Sequence, residues 1–544
     1  MRQRVLVIGL DGATFDVLLP LVKRGKMPNL KKLIENGVVG ELMSVIPPNS
    51  CSAWSSFATG LNPGNHGIYE FVVRRDKSYD VYPVNASHRD GKDLWYILSE
   101  RGMKVALINV PYTYPPRKIN GIIITGLGTP SGANFVYPPH LRETIEKVAN
   151  GYEMEATAMY PEGREKIVLG EIFKVTRKRM KVVRYIMNLD KWDFFMVVFT
   201  GTDRLQHALW HFLDKNHPCY NEKRARKIRR TIIAYYSEID KYIGEIVKKN
   251  KDAIIVIVSD HGFAPVYKWL HLNTLLWKMG LLRLKRNMRT LLLRLGITLS
   301  TIYKIFFMIG LGRLKREISV EKARRILVNF FVSIYDIDWS KTKVYSLPGV
   351  GQIYINLKGR EPSGIVNPGE EYEKLVNYII KRMKNLIDPE TGKHVIDKVF
   401  RKEEIWYGRH LDKMPDIQLL PKRYYAIFPT FEFSSAHIFT KVYGIYARHD
   451  LNGILVMYGP NIKKGVKIER ARIIDMAPTI LYAMGLKVPV NIDGRILIEA
   501  FEESYVKDNP IEYEVSKEYP KEEYTFTEEE EKLVKERLKA LGYF

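Results

Sequence analysis

Short apolar runs that alternate with long helical stretches constrain the fold of this chain more than any other feature of its sequence. The runs are rich in Val and Ile, and each is followed closely by Gly, Pro, Thr, Ser or Asp. They lie at 5–8, 105–110, 194–199, 254–258 and 454–457, and helical stretches such as 166–187 and 223–248 lie between them. This alternation is typical of a largely parallel sheet that is buried on both faces. The sequence therefore predicts an α/β fold.

The length of the chain indicates more than one structural unit. With 544 residues it exceeds a single simple core, since domains average about 100–200 residues. We expect an α/β core from residues 1–265 and 441–500, with residues 266–440 inserted as a cap over the strand ends. A strand-like piece at 343–361 predicts β structure in this insertion. Residues 501–544 form an acidic C-terminal tail, whose final helix is marked by a capping box from Thr527 to Glu530 and by Gly542 at its end.

Positive charge is the strongest compositional bias. The chain has 85 Lys and Arg against 61 Asp and Glu, a formal net charge of +24, which favours an anionic partner such as nucleic acid, anionic lipid or a phosphate ester. Segment 278–325 alone carries 13 basic and two acidic residues, interspersed with aliphatic residues at helical spacing. It is interpreted as a solvated helical cap or as an amphipathic surface for peripheral contact with an anionic membrane. No specific nucleic-acid motif accompanies it, and the sequence does not indicate an oligomeric state.

Cysteine content and apolar segments limit the compartment. The two cysteines, Cys51 and Cys219, exclude a disulfide framework and a zinc site built from thiolates, although one bridge remains formally possible. The first apolar run is too short for a signal peptide or a membrane span, and polar residues interrupt the run at 295–311. We therefore expect a cytoplasmic protein that is at most peripheral to a membrane. Gln occurs only at positions 3, 206, 352 and 418, a pattern compatible with a thermophilic source.

Carboxylates and imidazoles follow several of the predicted strands. Because the carboxyl ends of parallel strands meet at one edge of a sheet, these side chains should converge there. Two of them, Asp203 and His207, stand four residues apart at the start of a helix and project from one face. Carboxylate oxygen and neutral imidazole suit Zn²⁺, Mn²⁺ or a comparable divalent ion. The candidate ligands are Asp11, Asp203, His207, Asp260, His261 and His449.

A hydroxyl-rich segment at 46–71 offers a nucleophile for the same site. A serine hydroxyl is a weak nucleophile near neutral pH, but a bound divalent cation favours its alkoxide. The residue types alone leave four candidates, which are Ser50, Ser52, Ser55 and Ser56.

Together these motifs resemble the type I phosphodiesterase/nucleotide pyrophosphatase family of the alkaline phosphatase superfamily, in its prokaryotic branch. The resemblance rests on the Asp-Gly start, a hydroxyl nine residues before Thr59-Gly60, Asn-Pro-Gly-x-His-Gly-Ile at 62–68, Asp-x-x-x-His, Ser-Asp-His-Gly and the late His. It continues through DMAPTILYAMGL at 475–486, Asp-Gly-Arg at 493–495 and the final LKALGYF, so it spans both ends of the chain. It implies an alkaline-phosphatase-like three-layer core with a mostly parallel central sheet.

The resemblance also implies a two-metal site and an activity. One ion would be held by Asp203, His207 and His449, and the other by Asp11, Asp260, His261 and the nucleophile oxygen. Counting nine residues back from Thr59 assigns the nucleophile to Ser50. Zinc is the first candidate metal, with manganese or another divalent ion as the alternative. The implied enzyme hydrolyses phosphodiester or nucleotide pyrophosphate bonds of a small-molecule phosphate ester through a covalent Ser50 intermediate.

Departures from the family pattern keep other activities open. Diesterases of the family usually carry Thr as the nucleophile and Pro two positions later, where this chain has Ser50 and Ser52. Because phosphomonoesterases of the superfamily use Ser, a phosphomonoesterase or a phosphotransferase is one alternative, and a non-catalytic membrane-surface protein is another. A sulfatase is not indicated, since its maturation needs Pro and Arg two and four residues after Cys51, where Ala53 and Ser55 stand.

Overall fold

The computed structural model describes residues 3–156, 163–298, 332–429, 433, 435–442, 444–515 and 523–543. Within them, no helix combines the length and the apolar character needed to cross a membrane. The strands are β1 (Arg4–Leu10), β2 (Val38–Met43), β3 (Val72–Arg74), β4 (Val81–Pro83), β5 (Val105–Val110), β6 (Gly121–Thr125), β7 (Val136–Tyr137), β8 (Phe194–Phe199), β9 (Ala253–Val258), β10 (Gly262–Leu270), β11 (Val344–Tyr345), β12 (Gln352–Ile355), β13 (Ile396–Arg401), β14 (Ile417–Pro421), β15 (Tyr424–Ile427), β16 (Phe439–Lys441), β17 (Ala447–Asp450), β18 (Asn452–Tyr458), β19 (Val466–Arg472), β20 (Val488–Pro489) and β21 (Tyr513–Glu514).

Helices lie between many of these strands. The α-helices span Phe15–Lys23, Pro28–Glu35, Ser50–Thr59, Pro63–His66, Leu94–Glu100, Leu141–Ala149, Glu165–Leu189, Gly201–Leu209, Glu222–Lys249, Leu272–Lys278, Met288–Arg294, Glu370–Lys384, Lys402–Ile405, Met476–Ala483, Glu503–Asp508 and Glu528–Leu541. The helical stretches predicted at 166–187 and 223–248 correspond to the two longest of these helices, which extend one or two residues further at each end.

Nine strands form the central sheet, in the order β19-β2-β18-β9-β1-β8-β5-β6-β7. Strand β1 lies between β8 and β9 and is parallel to both, and β5 is parallel to β8 and β6. Strand β18 runs antiparallel to both of its neighbours, β9 and β2. The sheet is therefore mostly parallel, as the sequence predicts.

Both faces of this sheet are covered, which produces three layers. Leu6 and Ile8 of β1 belong to one apolar cluster, whereas Val5 and Val7 belong to another, because successive side chains of a strand point to opposite faces. The first face is covered by helices Glu165–Leu189 and Glu222–Lys249, and the second by helices Ser50–Thr59 and Met476–Ala483. The predicted α/β fold with an alkaline-phosphatase-like layering is confirmed.

Region 266–440, which the sequence predicts as an insertion, contributes nearly all of a third apolar cluster, to which Tyr79 also belongs. Its strands β11, β12, β14 and β13 form an antiparallel sheet, against which helix Glu370–Lys384 packs through Val376 and Ile379. Strands β11 and β12 lie within the strand-like piece predicted at 343–361. Strand β10 joins this region to the core, since it pairs with β15 inside the insertion and with β17 beyond it. Of the basic segment 278–325, residues 299–325 lie outside the described residues.

The tail helix Glu528–Leu541 packs on the core through apolar side chains. Leu538 and Leu541 belong to a cluster that also contains Phe71. The predicted capping box is confirmed, and Gly542 ends the helix with a φ of 86°, a left-handed conformation that favours glycine. This turn directs Tyr543 back towards the central sheet.

Candidate metal centre and nucleophile

The predicted site residues meet at the carboxyl edge of the central sheet. Strands β8, β1 and β9 are neighbours in the sheet, and each is followed closely in the chain by one carboxylate, which is Asp203, Asp11 and Asp260, respectively. His449 lies in β17, where it is paired with Phe263 of β10. Because three adjacent parallel strands end at the same level, their carboxylates approach one another without long loops.

Two overlapping groups of side chains could each hold a metal ion, and they share one imidazole. The groups are Asp203, His261 and His449, and Asp11, Asp260 and His261. His207 also faces the first group, since its Nε2 lies 2.9 Å from Nε2 of His449 and 3.5 Å from Oδ1 of Asp203. All six ligands expected from the sequence therefore come together.

The distances around His261 show how closely the two groups adjoin. Its Nε2 lies 3.3 Å from Oδ2 of Asp260 and 3.9 Å from Oδ1 of Asp11. On the other side, Nε2 of His449 lies 3.2 Å from Oδ1 of Asp203. The rings of His261 and His449 are stacked, with their centroids 3.6 Å apart. The division of ligands implied by the resemblance is thus compatible with this geometry, with His261 at the boundary.

The three imidazoles are oriented by backbone carbonyls. In each ring Nδ1 lies near a carbonyl oxygen, which can only accept, so Nδ1 carries the hydrogen. Burial lowers the pKa of His207 to about 3 and that of His261 to about 4, and it also lowers the pKa of His449. Neutral rings with hydrogen on Nδ1 leave the lone pair of Nε2 for a metal ion. The bonds join His207 to Ala447 (2.9 Å), His261 to Gly262 (3.1 Å) and His449 to Pro48 (3.1 Å).

The carboxylates provide a direct test of whether cations fit. Oδ1 of Asp203 and Oδ2 of Asp260 are buried and have no hydrogen-bond donor among the described residues. A buried carboxylate oxygen without a partner is strongly unfavourable, and a bound cation would remove that cost. Oxygen and imidazole donors around such atoms match the preferences of a zinc-like or manganese-like ion. The residues present therefore fit divalent metal ions.

Electrostatics in the site follow from burial and crowding. Burial raises the pKa of Asp260 to about 7, and burial together with the nearby Asp260 raises that of Asp11 above its ordinary range. Burial also opposes ionisation of Asp203, but the neighbouring His207 and Arg204 bring its pKa below the usual value. Clustered carboxylates of this kind favour a bound cation over protons.

Ser50 is the candidate serine that reaches the imidazoles. Its Oγ lies 3.3 Å from Nε2 of His261. It is the first residue of helix Ser50–Thr59, which Asn49 caps by accepting the backbone N–H of Ser52. Backbone amides at this end of a helix have no acceptor within the helix and favour an anion.

The other candidate serines make different contacts. The hydroxyl of Ser55 donates to the carbonyl of Cys51 at 2.6 Å, and that of Ser56 bonds Nε2 of His66 at 2.8 Å. The Oγ of Ser52 is buried and has no hydrogen-bond partner among the described residues. Ser56 therefore holds His66 in a structural contact.

Three residues that contact the site carboxylates are absent from the site predicted by the sequence. Trp54 donates its indole N–H to Oδ2 of Asp11 at 3.2 Å, and the backbone N–H of Gly12 donates to Oδ1 of Asp260 at 3.0 Å. The hydroxyl of Tyr543 lies 3.2 Å from Oδ2 of Asp203. Trp54 could have been found, because it stands one helical turn after Ser50. Tyr543 lies 340 positions from Asp203, and no sequence spacing indicates their contact.

The chain belongs to the type I phosphodiesterase/nucleotide pyrophosphatase family, whose family model matches residues 5–432. This confirms the family expected from the motifs and identifies the chain as a phosphoesterase of a metal-dependent family.

Solved structures share the fold at low sequence identity. Phosphonoacetate hydrolase from Sinorhizobium meliloti 1021 has a TM-score of 0.53 and 15% identity, with 89% of this chain and 95% of that chain covered. Human ectonucleotide pyrophosphatase/phosphodiesterase 5 has a TM-score of 0.49 and 12% identity, with 93% and 99% covered. No curated protein sequence matches this chain. The first of these similarities supports the fold alone.

Proposed function

We propose that this chain is a two-metal phosphoesterase that hydrolyses phosphodiester or nucleotide pyrophosphate bonds through a covalent Ser50 intermediate. The observation that carries the proposal is the position of the Ser50 hydroxyl, 3.3 Å from Nε2 of His261 and at the amino end of a helix. A hydroxyl beside two groups of candidate metal ligands is suited to attack an anionic ester.

The proposed ligands follow the two groups of side chains. Asp203, His207 and His449 would hold one ion, and Asp11, Asp260, His261 and Ser50 Oγ would hold the other. Zinc is our first choice, with manganese or another divalent ion as the alternative, because the donors are oxygen and imidazole nitrogen. When bound, two such ions supply positive charge that favours the Ser50 alkoxide and stabilises the attacking and leaving oxygens of an in-line displacement.

Ser50 acts as the nucleophile in the proposed reaction. Its Oγ forms a bond to phosphorus while the bond from phosphorus to the leaving oxygen breaks, and the leaving group takes up a proton in place of the one that Ser50 loses. Water then displaces Ser50 from phosphorus and restores its hydroxyl. The amides at the start of helix Ser50–Thr59 would bind the phosphate oxygens during both steps.

The surroundings of Arg204 favour diesters over monoesters. A monoesterase would need a free cationic group for the additional charge of a terminal phosphate. Arg204 is the cationic side chain beside Asp203, but its guanidinium already contacts Glu155, Asp203 and Tyr543, at 3.2, 3.4 and 3.0 Å. A phosphomonoesterase or a phosphotransferase remains the second candidate, and transfer to added alcohols would reveal the latter.

Replacement of two neighbouring serines tests the nucleophile. We expect Ser50→Ala to lose at least about a thousandfold in turnover of bis-p-nitrophenyl phosphate with Zn²⁺ or Mn²⁺, because the covalent step is removed. Ser52→Ala is the matched control, since its hydroxyl is buried nearby without a partner in the described part of the chain. It should keep nearly full activity. Full activity in Ser50→Ala, or equal loss in both variants, would overturn the assignment.

A parallel assay tests the class of substrate. Initial rates on bis-p-nitrophenyl phosphate and on p-nitrophenyl phosphate, measured with the same metal ion, should favour the diester. Acid-quenched reactions should contain protein that is heavier by the bound phosphoryl group, with the added mass on the peptide that contains Ser50. A preference for the monoester would favour the second candidate.

We also propose that residues 266–440 act as the substrate-selecting cap.

We propose further that the protein is cytoplasmic and that its basic segment 278–325 makes peripheral contact with anionic lipid. In the described part of that segment, Met288, Leu291 and Leu295 are exposed beside basic residues such as Arg294. The low Gln content of the chain supports a thermophilic source.

Vesicle binding tests the membrane contact. We expect salt-sensitive cosedimentation of the protein with anionic vesicles and none with neutral vesicles. Equal binding to both would contradict the membrane contact.

A further inference from the structure

Each carboxylate of the candidate metal centre is held by a donor at one of its two oxygens. The indole N–H of Trp54 holds Oδ2 of Asp11, and the backbone N–H of Gly12 holds Oδ1 of Asp260. The opposite oxygens, Oδ1 of Asp11 and Oδ2 of Asp260, are the atoms that approach His261. In both residues the donor thus fixes which oxygen is presented to the centre.

Asp203 follows the same arrangement, but its donor comes from the tail. Oδ2 of Asp203 lies 3.2 Å from the hydroxyl of Tyr543, its hydrogen-bond donor, and 3.4 Å from Nη1 of Arg204. Oδ1 faces Nε2 of His449 at 3.2 Å and that of His207 at 3.5 Å. Oδ1 has no hydrogen-bond donor among the described residues. Asp203 therefore has one held oxygen and one presented oxygen, like the other two carboxylates.

The direction of the Tyr543 hydrogen bond is set by Arg204. The guanidinium of Arg204 can only donate, and its Nη1 lies 3.0 Å from the Tyr543 oxygen. The hydroxyl accepts from Arg204 and so has its own hydrogen available for Oδ2 of Asp203. The carbon Cζ of Arg204 also lies 5.1 Å from the centroid of the Tyr543 ring, which fixes the ring from one side.

The aromatic ring of Tyr543 is held independently of its hydroxyl. It is stacked on Phe71, with the centroids 4.4 Å apart and the planes 14° apart. Its backbone N–H donates to the carbonyl of Leu538 at 3.0 Å, across the turn made by Gly542. These contacts place the side chain at the centre without help from Asp203, so the hydroxyl is available as a fixed donor.

We propose that Tyr543 is a positioning residue for Asp203, and that the tail segment thereby completes the metal site formed by Asp203, His207 and His449. By holding Oδ2, the hydroxyl turns Oδ1 towards the imidazole nitrogens. The inference rests on the proposed function, because it requires that these side chains bind a metal ion. Outer hydrogen bonds of this kind typically change metal affinity by about 10- to 100-fold.

Metal binding by Tyr543→Phe tests the inference directly. The replacement keeps the ring and its stacking on Phe71 and removes the hydroxyl, which donates to Asp203 and accepts from Arg204. We expect one of two Zn²⁺ ions to bind about 10- to 100-fold more weakly, while the other is unchanged. The measurement is titration of the metal-free full chain with Zn²⁺ in competition with a chromophoric chelator, followed by the metal content after dialysis. Titration with Co²⁺ should likewise show that one of two absorption changes shifts to higher concentration.

Tyr524→Phe is the matched control in the same tail segment. The hydroxyl of Tyr524 bonds Glu530 at 2.7 Å and Tyr114 at 3.1 Å, and both partners lie outside the metal centre. We expect unchanged affinity for both ions in this variant. Unchanged affinity in Tyr543→Phe, or the same loss in both variants, would overturn the inference. Failure of the unaltered protein to bind Zn²⁺ at all would instead contradict the proposed function.

Discussion

Buried carboxylates occur both in the inserted region and at the carboxyl edge of the central sheet, and the two sets differ in how their oxygens are paired. In the insertion, Asp416 receives the guanidinium of Arg360 at both oxygens, at 2.7 and 2.6 Å. Tyr372 and the backbone N–H of Ile355 complete its shell. Asp388 is bonded in the same way, with the ammonium of Lys268 at 3.0 and 2.7 Å from its two oxygens.

At the sheet edge the pairing is incomplete. Asp203 and Asp260 each have one oxygen held by a donor and one without a donor among the described residues. The oxygens without a donor, Oδ1 of Asp203 and Oδ2 of Asp260, are buried, so the fold keeps a cost that a bound cation would remove. Burial by itself therefore does not distinguish a structural carboxylate from a candidate metal ligand. The two kinds differ in whether both carboxylate oxygens have a hydrogen-bond donor.

The largest effect is expected when one of the carboxylates that have an oxygen without a donor is replaced. Asp260→Asn keeps an acceptor for the N–H of Gly12 but loses the charge. We expect loss of one metal ion and at least about a thousandfold loss of turnover, since a bound ion contributes several kcal/mol to transition-state stabilisation. Metal content and rates on bis-p-nitrophenyl phosphate are the measurements.

The same variant makes an opposite prediction for stability. Since burial raises the pKa of Asp260 to about 7, ionisation of this carboxyl at pH 8 lowers the stability of the fold when no metal is present. In excess chelator, Asp260→Asn should therefore unfold at a temperature no lower than that of the unaltered protein. A marked drop would show that Asp260 is structural, and the comparison would fail.

Removal of a carboxylate whose two oxygens are both paired should lower the stability of the protein and leave its metal content unchanged. Asp416→Asn removes one of two charged partners of Arg360, whose Nε also lies 2.8 Å from Oε1 of Glu361. We expect a loss of about 2 kcal/mol in the free energy of unfolding, because the charge-assisted hydrogen bonds to Asp416 are weakened. Metal content should stay unchanged. Chemical denaturation and elemental analysis of the dialysed protein check the two halves of the prediction. Loss of metal would mean that pairing does not separate the two sets.

Glu70 is a third kind of buried carboxylate, because both of its oxygens are paired, but only with neutral donors. Its oxygens accept from the backbone N–H groups of Phe71 and Val350 and from the side chain of Gln352, at 3.0, 3.3 and 3.1 Å. Burial nevertheless raises the pKa of Glu70 to about 7. Complete pairing by neutral donors thus does not offset the burial of the Glu70 carboxylate.

The raised pKa of Glu70 predicts a dependence of stability on pH. The folded state holds this proton more tightly than the unfolded state, so the contribution of Glu70 to stability falls as pH rises through 7. Glu70→Gln cannot titrate. Relative to it, the unaltered protein should lose about 2 kcal/mol between pH 5 and pH 8. Denaturation of both proteins across this range gives the difference, and a constant difference would contradict the shift.

Much of the fold and of the candidate site could be predicted from local patterns. Apolar runs followed by turn residues identified the strands that carry Asp11, Asp203 and Asp260, because a buried strand and its polar end are encoded within about ten residues. The ligand types followed from what imidazole and carboxylate bind. The capping box at Thr527 and the stop at Gly542 are equally local, and both were predictable.

Contacts between distant segments could not be predicted. Tyr543 reaches Asp203 because the tail helix packs on Phe71 and its neighbours, and that docking depends on three-dimensional shape. The tail is acidic in composition, whereas the docked face of its helix is apolar. The apolar cluster of region 266–440 could not be predicted from the sequence either, because its members become adjacent only through strand pairing.

The position of strand β18 has a consequence for how the chain is made. This strand lies between β9 and β2 in the sheet, yet it follows β9 in the sequence by the whole inserted region, from Val258 to Asn452. At about 5–20 residues per second, synthesis of the intervening chain takes roughly 10–40 s. Throughout that interval β9 and β2 have unpaired, apolar edges. The nascent protein therefore passes through a period in which its own sheet is a template for wrong strand pairing, and this period ends when β18 emerges.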